Sequence, residues 1–548
     1  MKIEKKAMFK TLLIAASILI LIIPDILIND HQEVVDFCLS IIAKVTLFMS
    51  LGLIMLRLKP SYFWAYVIVG IPYLISSIIE VSSIVILGHY ITADNLGSLF
   101  NTSRNEFSEF MAGFRIYFII PVILIIAYVF ILKMYKRISY DMKNQKRIIP
   151  FALVLIVVSL SCTILKILGS EKAYSGRSLI EYTLRGGYLG QHPFNILNES
   201  YVLGKIRYRI HKYKKQHDNF EFGILNSPDT GKAKIVVFII GERMRYSNWS
   251  INGYKKETNP NLEKIKNLIS FNKNYSNSNY TYGSIPLIIT QATPQDPYLA
   301  YSQKSVISLF KEAGYETSWI SSQYLFDIVD EKNVPDHVYE LYKKQHTDAD
   351  ILPLFDSVVN KQSAKNQFIV INMLGGHGGI PERFNVFKPN NSLKNYHVTM
   401  KNAHIFINAY DNMILLQDYV ISELIKTIER QNVPSVLMFT ADHGCNLFDN
   451  GKALFGYGSA NPTEKETHVP TLVSVSDEFI EDNPHKYKNL LAHKNLLTTN
   501  DNLFYTLADL ADIKYKSYIK NQSISDSSYA EPSSRFVYVN GVAMEYKK

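Results

Sequence analysis

Lys234-Ile-Val-Val-Phe-Ile-Ile-Gly-Glu-Arg-Met-Arg245 is the stretch whose reading decides the fold. Ile235 to Ile240 are all apolar and mostly β-branched, the composition of a strand buried on both faces. Gly241 ends the run, and the first residue past that turn is a carboxylate, Glu242. In doubly wound α/β sheets, ligands gather beyond the carboxyl ends of the strands. Glu242 is therefore placed to hold a cation. Taken alone, it reads more simply as an acid in the first turn of a helix, where the dipole favours it.

Ser435-Val-Leu-Met-Phe-Thr-Ala-Asp-His-Gly444 repeats the design, with Asp442 and His443 at the strand's end. One oxygen and one nitrogen donor side by side suit zinc or manganese. Two strand-end carboxylates, one with an adjacent His, point to a metal-dependent hydrolase or transferase, which also needs a nucleophile. Between the strands lies Asn277-Ser-Asn-Tyr-Thr-Tyr-Gly-Ser-Ile-Pro286. Thr281, Ser276, Ser278 and Ser284 are all candidates, and spacing does not choose among them. The same run also fits an ordinary surface loop.

Gly241-Glu-Arg-Met-Arg245, Asn248-Trp-Ser-Ile-Asn-Gly-Tyr254 and Asn259-Pro-Asn-Leu262 resemble the opening of the phosphoethanolamine transferases, membrane enzymes of the sulfatase and alkaline-phosphatase superfamily. In that family the nucleophile is a Thr five residues before a Pro, which selects Thr281 ahead of Pro286. Asp442-His-Gly444 matches the family's Asp-His-Gly motif, and Gly376-His-Gly378 matches in part a Gly-x-His-x-Pro-like motif. The resemblance runs through nearly the whole chain.

The long apolar runs fall before about residue 168: Met8–Ile28, Val35–Leu56, Phe63–Ile86, Arg115–Leu132 and Ile149–Leu168. Each approaches or exceeds the ~20 residues that a helix needs to cross a bilayer. Pro24-Asp25 is a poor cleavage site and further spans follow, so the first run reads as a span, not a signal peptide. Lys2, Lys5, Lys6, Lys10, Arg57, Lys59 and the basic cluster from Lys133 to Arg147 occupy alternate loops, and acidic residues occupy the others. The positive-inside rule puts the N-terminus in the cytoplasm and everything after five spans outside. The expected setting is a bacterial inner membrane with a periplasmic catalytic domain, which argues against ATP as a donor. The net charge of +9 comes largely from loops that border spans and from Lys205–Lys215, so it does not indicate nucleic acid as a partner. Cys38, Cys162 and Cys445 cannot build a disulfide framework. Lipid A-modifying relatives usually carry several bridges, so the resemblance leans toward the branch that modifies core sugars.

The expected organisation is a transmembrane domain over 1–168, a connector with interfacial helices over 169–231, and a sulfatase-like α/β domain over 232–548. Ser200 to Lys215 reads as a basic amphipathic segment suited to anionic headgroups. Alternation in the last domain predicts strands at 234–240, 316–321, 367–374, 435–441 and 470–475, with helices at 260–268, 303–313, 408–430 and 499–511. A mostly parallel central sheet follows. The helix beginning Asn408-Ala-Tyr-Asp-Asn412 matches a family signature and reads as a packing element. The tail from about Ser523 looks loosely ordered apart from a strand at Phe536–Val539. In the loop before the fourth span, Thr102, Glu106 and Glu109 share one helical face. The family places such residues near the lipid donor's headgroup, where an anionic pair suits an ethanolammonium group. Glu80, within the third span, is a functional suspect by its depth.

The resemblance implies zinc, with manganese less favoured, held by Glu242, Thr281, Asp442 and His443. Thr281 would attack phosphatidylethanolamine, release diacylglycerol and carry phosphoethanolamine to a hydroxyl or phosphate of a lipopolysaccharide core sugar, of lipid A or of another glycan. His377 would contact phosphoryl oxygens or protonate a leaving oxygen. Lipid A-modifying members have a further His where this chain has Tyr457, and His468 is the candidate to replace it in contacting substrate. A glycerophosphate transferase or a metal-dependent phosphodiesterase on the same fold is the alternative. No Cys-x-Pro-x-Arg motif supports sulfatase activity.

Overall fold

The computed structural model describes residues 2–28, 34–57, 62–102, 107–108, 111, 114–115, 117–137, 148–171, 192–226, 233–323, 334–343, 347–361, 365–377, 398–451 and 454–547. The chain divides into two compact units: Met1–Gly97 with Phe114–Gly204, and Ser98–Gly113 with Lys205–Lys548.

In the first unit the apolar runs form helices α1 (Lys2–Leu27), α2 (Val34–Arg57), α3 (Tyr62–Leu87), α4 (Ile119–Arg137) and α5 (Ile148–Glu171). All five contain segments of 18 to 22 residues long and apolar enough to span a bilayer. Ile68, Ile126 and Val157 are each more than 60% exposed, which a helix tolerates in hydrocarbon but not in water. Polar groups turn inward and pair: Lys44 Nζ meets Asp25 Oδ1 at 2.6 Å. Glu80 accepts from the Ile91 amide and from Asn195 Nδ2, both at 2.9 Å. The carboxylate that depth made suspect thus fastens α3 to the segments that follow it. Helix α6 (Asn195–His217) carries the basic segment, and the division between the units falls within it.

The second unit is built on a seven-stranded sheet of β1 (Ile235–Gly241), β2 (Leu268–Phe271), β3 (Glu316–Ser321), β4 (His337–Glu340), β5 (Gln367–Asn372), β6 (Ser435–Ala441) and β7 (Thr471–Val475). The order across the sheet is β2-β7-β6-β1-β5-β3-β4. The five strands from β6 to β4 run parallel, and β7 is antiparallel to both β6 and β2. The sheet is therefore mixed, with its mostly parallel centre as expected. Every residue of β1 is buried. Val236, Phe238 and Ile240 join a core with Ile285, Ile288 and Ile289 of helix α7 (Thr281–Ile289), Phe310 of α8 (Val306–Glu312), and Leu503 and Leu507 of α10. Here α9 is Ala403–Glu429 and α10 is Asn502–Leu510. Each such aliphatic side chain contributes about 1.5–3 kcal/mol of burial.

Two expectations fail locally. Residues 260–268 give only a 3₁₀ turn, Leu262–Lys264, followed by edge strand β2. The alternation in Leu268-Ile-Ser-Phe271, with Ile269 and Phe271 inward, outweighs helical propensity there. The tail is ordered: Ser523 and Ser525 hydroxyls bond Asp509, and β8 (Ser534–Val539) pairs with β9 (Val542–Lys547) in a hairpin. The Tyr538 amide donates to Asn277 O at 2.7 Å, so this hairpin braces the run that precedes Thr281.

Candidate active site

Strand register assembles the site. Gly241 of β1 lies opposite Ala441 of β6 in a parallel pair, so the next residues, Glu242 and Asp442, emerge side by side. The Asp442 amide donates to Gly241 O at 2.8 Å. Asp442 Oδ1 accepts from the amides of Arg243 (2.9 Å) and His443 (2.7 Å), which fixes the carboxylate. The His443 Nδ1 lies 2.8 Å from Gly444 O, so Nδ1 carries the proton and Nε2 offers its lone pair. That Nε2 is 3.6 Å from Glu242 Oε1 and 3.4 Å from Asp442 Oδ2.

Donor atoms of Glu242, Asp442 and His443 all lie within 4.8 Å of one another. Glu242 Oε1 and Asp442 Oδ2 are buried without a hydrogen-bond partner among the described residues. Burial, then the neighbouring Asp442 charge, pushes Glu242 up to about 7, against the pull of His443 and His377. Burial pushes Asp442 up to about 6 and holds His443 below its ordinary value. Two orphaned carboxylate oxygens facing an imidazole lone pair form a donor set that a zinc ion would complete.

Thr281 is the first residue of α7. Its hydroxyl donates to Glu242 Oε2 at 3.0 Å and lies 3.3 Å from His443 Nε2. The helix N-terminus favours negative charge on that oxygen. The rival hydroxyls are spent on carbonyls: Ser276 on Asp442, Ser278 on Tyr538 and Ser284 on Ser278. Only Thr281 among them faces the cluster.

The Gly375-Gly376 turn brings His377 close enough for its charge to act on Glu242. Gly375 has φ +46, and a Cβ there would lie 2.5 Å from Glu242 O, so glycine alone permits this approach. Asp348 holds the turn by accepting from the amides of Leu374 and Gly375 at 2.7 and 2.9 Å. Asp348 was missed in the sequence because it lies outside any strand end. Gln323 was also missed; its Nε2 lies 3.3 Å from Glu242 Oε2 and also bonds Met373 O. Its position two residues past β3 obeys the same strand-end rule as Glu242. The Tyr410 hydroxyl donates to Arg243 O and accepts from the Arg245 amide, so the signature helix α9 fixes the turn that carries Glu242.

Other sequence candidates lie elsewhere. His468 has Tyr246 and Tyr275 stacked on its two faces at 4.0 and 4.6 Å, and Nε2 bonds Asn272 O. Both faces and one nitrogen of this imidazole are therefore committed to neighbouring groups. Tyr457 packs on His443 with ring centres 4.3 Å apart. The Thr102 hydroxyl bonds Ser98 O within its own segment. Glu106 and Glu109 lie outside the described residues.

Residues 234–513 match the family model of the sulfatases. The phosphoethanolamine transferase EptC of Escherichia coli K12 is 26% identical over 522 residues, covering 88% of this chain and 86% of that protein. Lipooligosaccharide phosphoethanolamine transferase A of Neisseria meningitidis, an integral membrane protein, superposes with a TM-score of 0.66 at 19% identity, covering 94% of this chain and 98% of that one. The C-terminal periplasmic domain of E. coli EptC, in complex with Zn, gives a TM-score of 0.52 at 24% identity over 59% of this chain and 94% of its own.

Proposed function

The chain belongs to the sulfatase family, and from that premise we propose that it is a phosphoethanolamine transferase, carrying phosphoethanolamine from phosphatidylethanolamine to lipopolysaccharide through an ester on Thr281. One observation carries the reading: a threonine hydroxyl at a helix N-terminus, 3.0 Å from Glu242 and 3.3 Å from His443, inside a buried three-residue donor cluster. The match to EptC over 88% of the chain supports the transferred group. Five spans on the same chain support a lipid donor, and the loop charges support a cytoplasmic N-terminus with the catalytic domain in the periplasm.

Glu242, Asp442 and His443, with the Thr281 oxygen, would hold a zinc ion. The ion supplies fixed positive charge that lowers the cost of ionising the threonine and of the developing phosphoryl charge. Thr281 Oγ forms a bond to phosphorus as the bond to the diacylglycerol oxygen breaks. The Thr281 proton already points at Glu242 Oε2, which receives it. His377 gives a proton to the leaving oxygen. In the second displacement an acceptor hydroxyl gives its proton to His377 as its oxygen bonds to phosphorus (an acceptor phosphate oxygen attacks as the anion), the bond to Oγ breaks, and Thr281 regains its proton from Glu242. The acceptor is a lipopolysaccharide core sugar or lipid A.

The test uses the full-length protein in phosphatidylethanolamine vesicles with purified lipopolysaccharide. Phosphoethanolamine should appear on the acceptor with wild type and not with Thr281→Ala. Transfer by Thr281→Ala would refute the reading.

A further inference from the structure

Arg243 follows Glu242 and has a backbone φ of +58, a left-handed conformation that a side chain makes unfavourable. Its side chain is buried, with 6% of the residue exposed. Nε and Nη2 are shielded from solvent and have no hydrogen-bond partner among the described residues. Arg245, two positions on, shows the contrast: its Nη1 meets both oxygens of Asp449 at 2.9 and 2.8 Å, and its Nε bonds Asn248. A buried guanidinium with unmade hydrogen bonds is destabilising and calls for an explanation.

The surroundings locate it. The guanidinium carbon lies 5.0 Å from the Phe455 ring centre and 5.2 Å from that of Tyr457, the ring that packs on His443. Its aliphatic stem fills the space against Gly376, where a Cβ would come within 3.2 Å. Arg243 thus stands between the turn bearing His377 and the tyrosine covering His443. Arg243 also has a side-chain hydrogen bond to the Cys445 thiol, a weak acceptor, and Nε and Nη2 remain without a partner among the described residues. Packing on aromatic rings uses the face of the guanidinium, whereas its N–H donors lie in the plane and point from its edge. The rings therefore explain the position of the group and leave Nε and Nη2 without an acceptor among the described residues.

We propose that Arg243 is an anion-binding residue of this site, donating from Nε and Nη2 to non-bridging phosphoryl oxygens of the substrate. The planar fork matches two oxygens of one phosphorus. Charge supports the same assignment. Glu242 and Asp442 ionised would balance a divalent cation, which leaves the arginine as the net positive charge that a phosphodiester monoanion neutralises. This inference rests on the phosphoryl-transfer reading.

The test compares Arg243→Lys, Arg243→Gln and Arg243→Met with wild type, as full-length zinc-loaded protein in detergent. Zinc content, thermal midpoint, calorimetric affinity for inorganic phosphate and transfer rate are measured together. The neutral variants should keep zinc and midpoint while phosphate binding weakens about tenfold to a hundredfold, the loss expected for charge-assisted bonds. Lysine should fall between, because it keeps the charge and loses the fork. Unchanged phosphate affinity in a zinc-retaining neutral variant would overturn the proposal. Loss of zinc or of the fold in both neutral variants would overturn it too, by making Arg243 structural. Phosphate binding that depends on Arg243 in a protein that transfers nothing from phosphatidylethanolamine would refute the donor reading and leave the subsite standing.

Discussion

Removing the cation from the site should expose two carboxyl groups that hold protons near neutrality. With Glu242 pushed up to about 7 and Asp442 to about 6, burial being the main cause of both, the metal-free site is partly protonated at pH 6. Glu242 would then be about nine-tenths protonated and Asp442 about half, so zinc binding at pH 6 expels about 1.4 protons. At pH 8 the same count falls to about 0.1. Burial holds His443 below its ordinary value, so the two carboxyl groups dominate the pH dependence of the release. Calorimetric zinc titrations of the metal-free protein in buffers of different ionisation enthalpy measure this release. A Thr281→Ala background keeps the threonine proton out of the count. Glu242→Gln, which removes one of the three protein donors, should weaken zinc binding itself. The stability effect has a definite sign. Both groups titrate above their unfolded values, so the metal-free fold binds more protons than the unfolded chain between about pH 4 and 7. These groups therefore make the metal-free fold less stable as pH rises through that window, and zinc should abolish the trend. Proton release that is independent of pH, or that grows toward pH 8, would refute the reasoning.

Gly375→Ala should lower transfer at least tenfold with the overall fold intact, because the new Cβ would lie 2.5 Å from Glu242 O and displace the turn bearing His377; circular dichroism and rate measurements check both. Asp348→Asn turns an acceptor of two backbone amides into a partial donor, and should cost about 1–3 kcal/mol in urea unfolding together with a fall in kcat. Burial pushes His468 down to about 4, so the unfolded chain takes up its proton first as pH falls below 6.5. Between pH 6.5 and 4 this His should remove up to about 3 kcal/mol of stability. His468→Phe, which preserves the stack, should be less acid-sensitive than wild type by that amount in paired unfolding curves, with transfer at neutral pH retained.

The central sheet was legible because its inner strands carry an unambiguous signal. Ile235–Ile240 and Val436–Phe439 are uninterrupted apolar runs, and only a strand buried on both faces explains them in so short a length. Glu242 and Asp442 were legible from the rule that parallel strands present ligands at their carboxyl ends, and in-register pairing of Gly241 with Ala441 is the physical reason the rule works here. Edge strands β2 and β4 were missed because β2 buries only alternate residues and β4 buries none, so the apolar pattern fades. Thr281 could not be separated from Ser276, Ser278 and Ser284 by spacing, since all are hydroxyls in one polar run. Three-dimensional hydrogen bonding separates them, with the serines turned to carbonyls and the threonine to Glu242. The supports at Gln323 and Asp348 were hidden for a similar reason. Each acts through a contact between segments far apart in sequence, which no local pattern encodes.

The covalent intermediate tests the central claim most directly. Full-length protein incubated with phosphatidylethanolamine and no acceptor, then digested and examined by mass spectrometry, should carry phosphoethanolamine on the peptide containing Thr281 and nowhere else. Added lipopolysaccharide should remove it. A glycerophosphate adduct on Thr281 would assign a different transferred group to the same chemistry. An adduct on Ser278 or Ser284, or transfer by a Thr281→Ala protein that carries no adduct, would contradict the account.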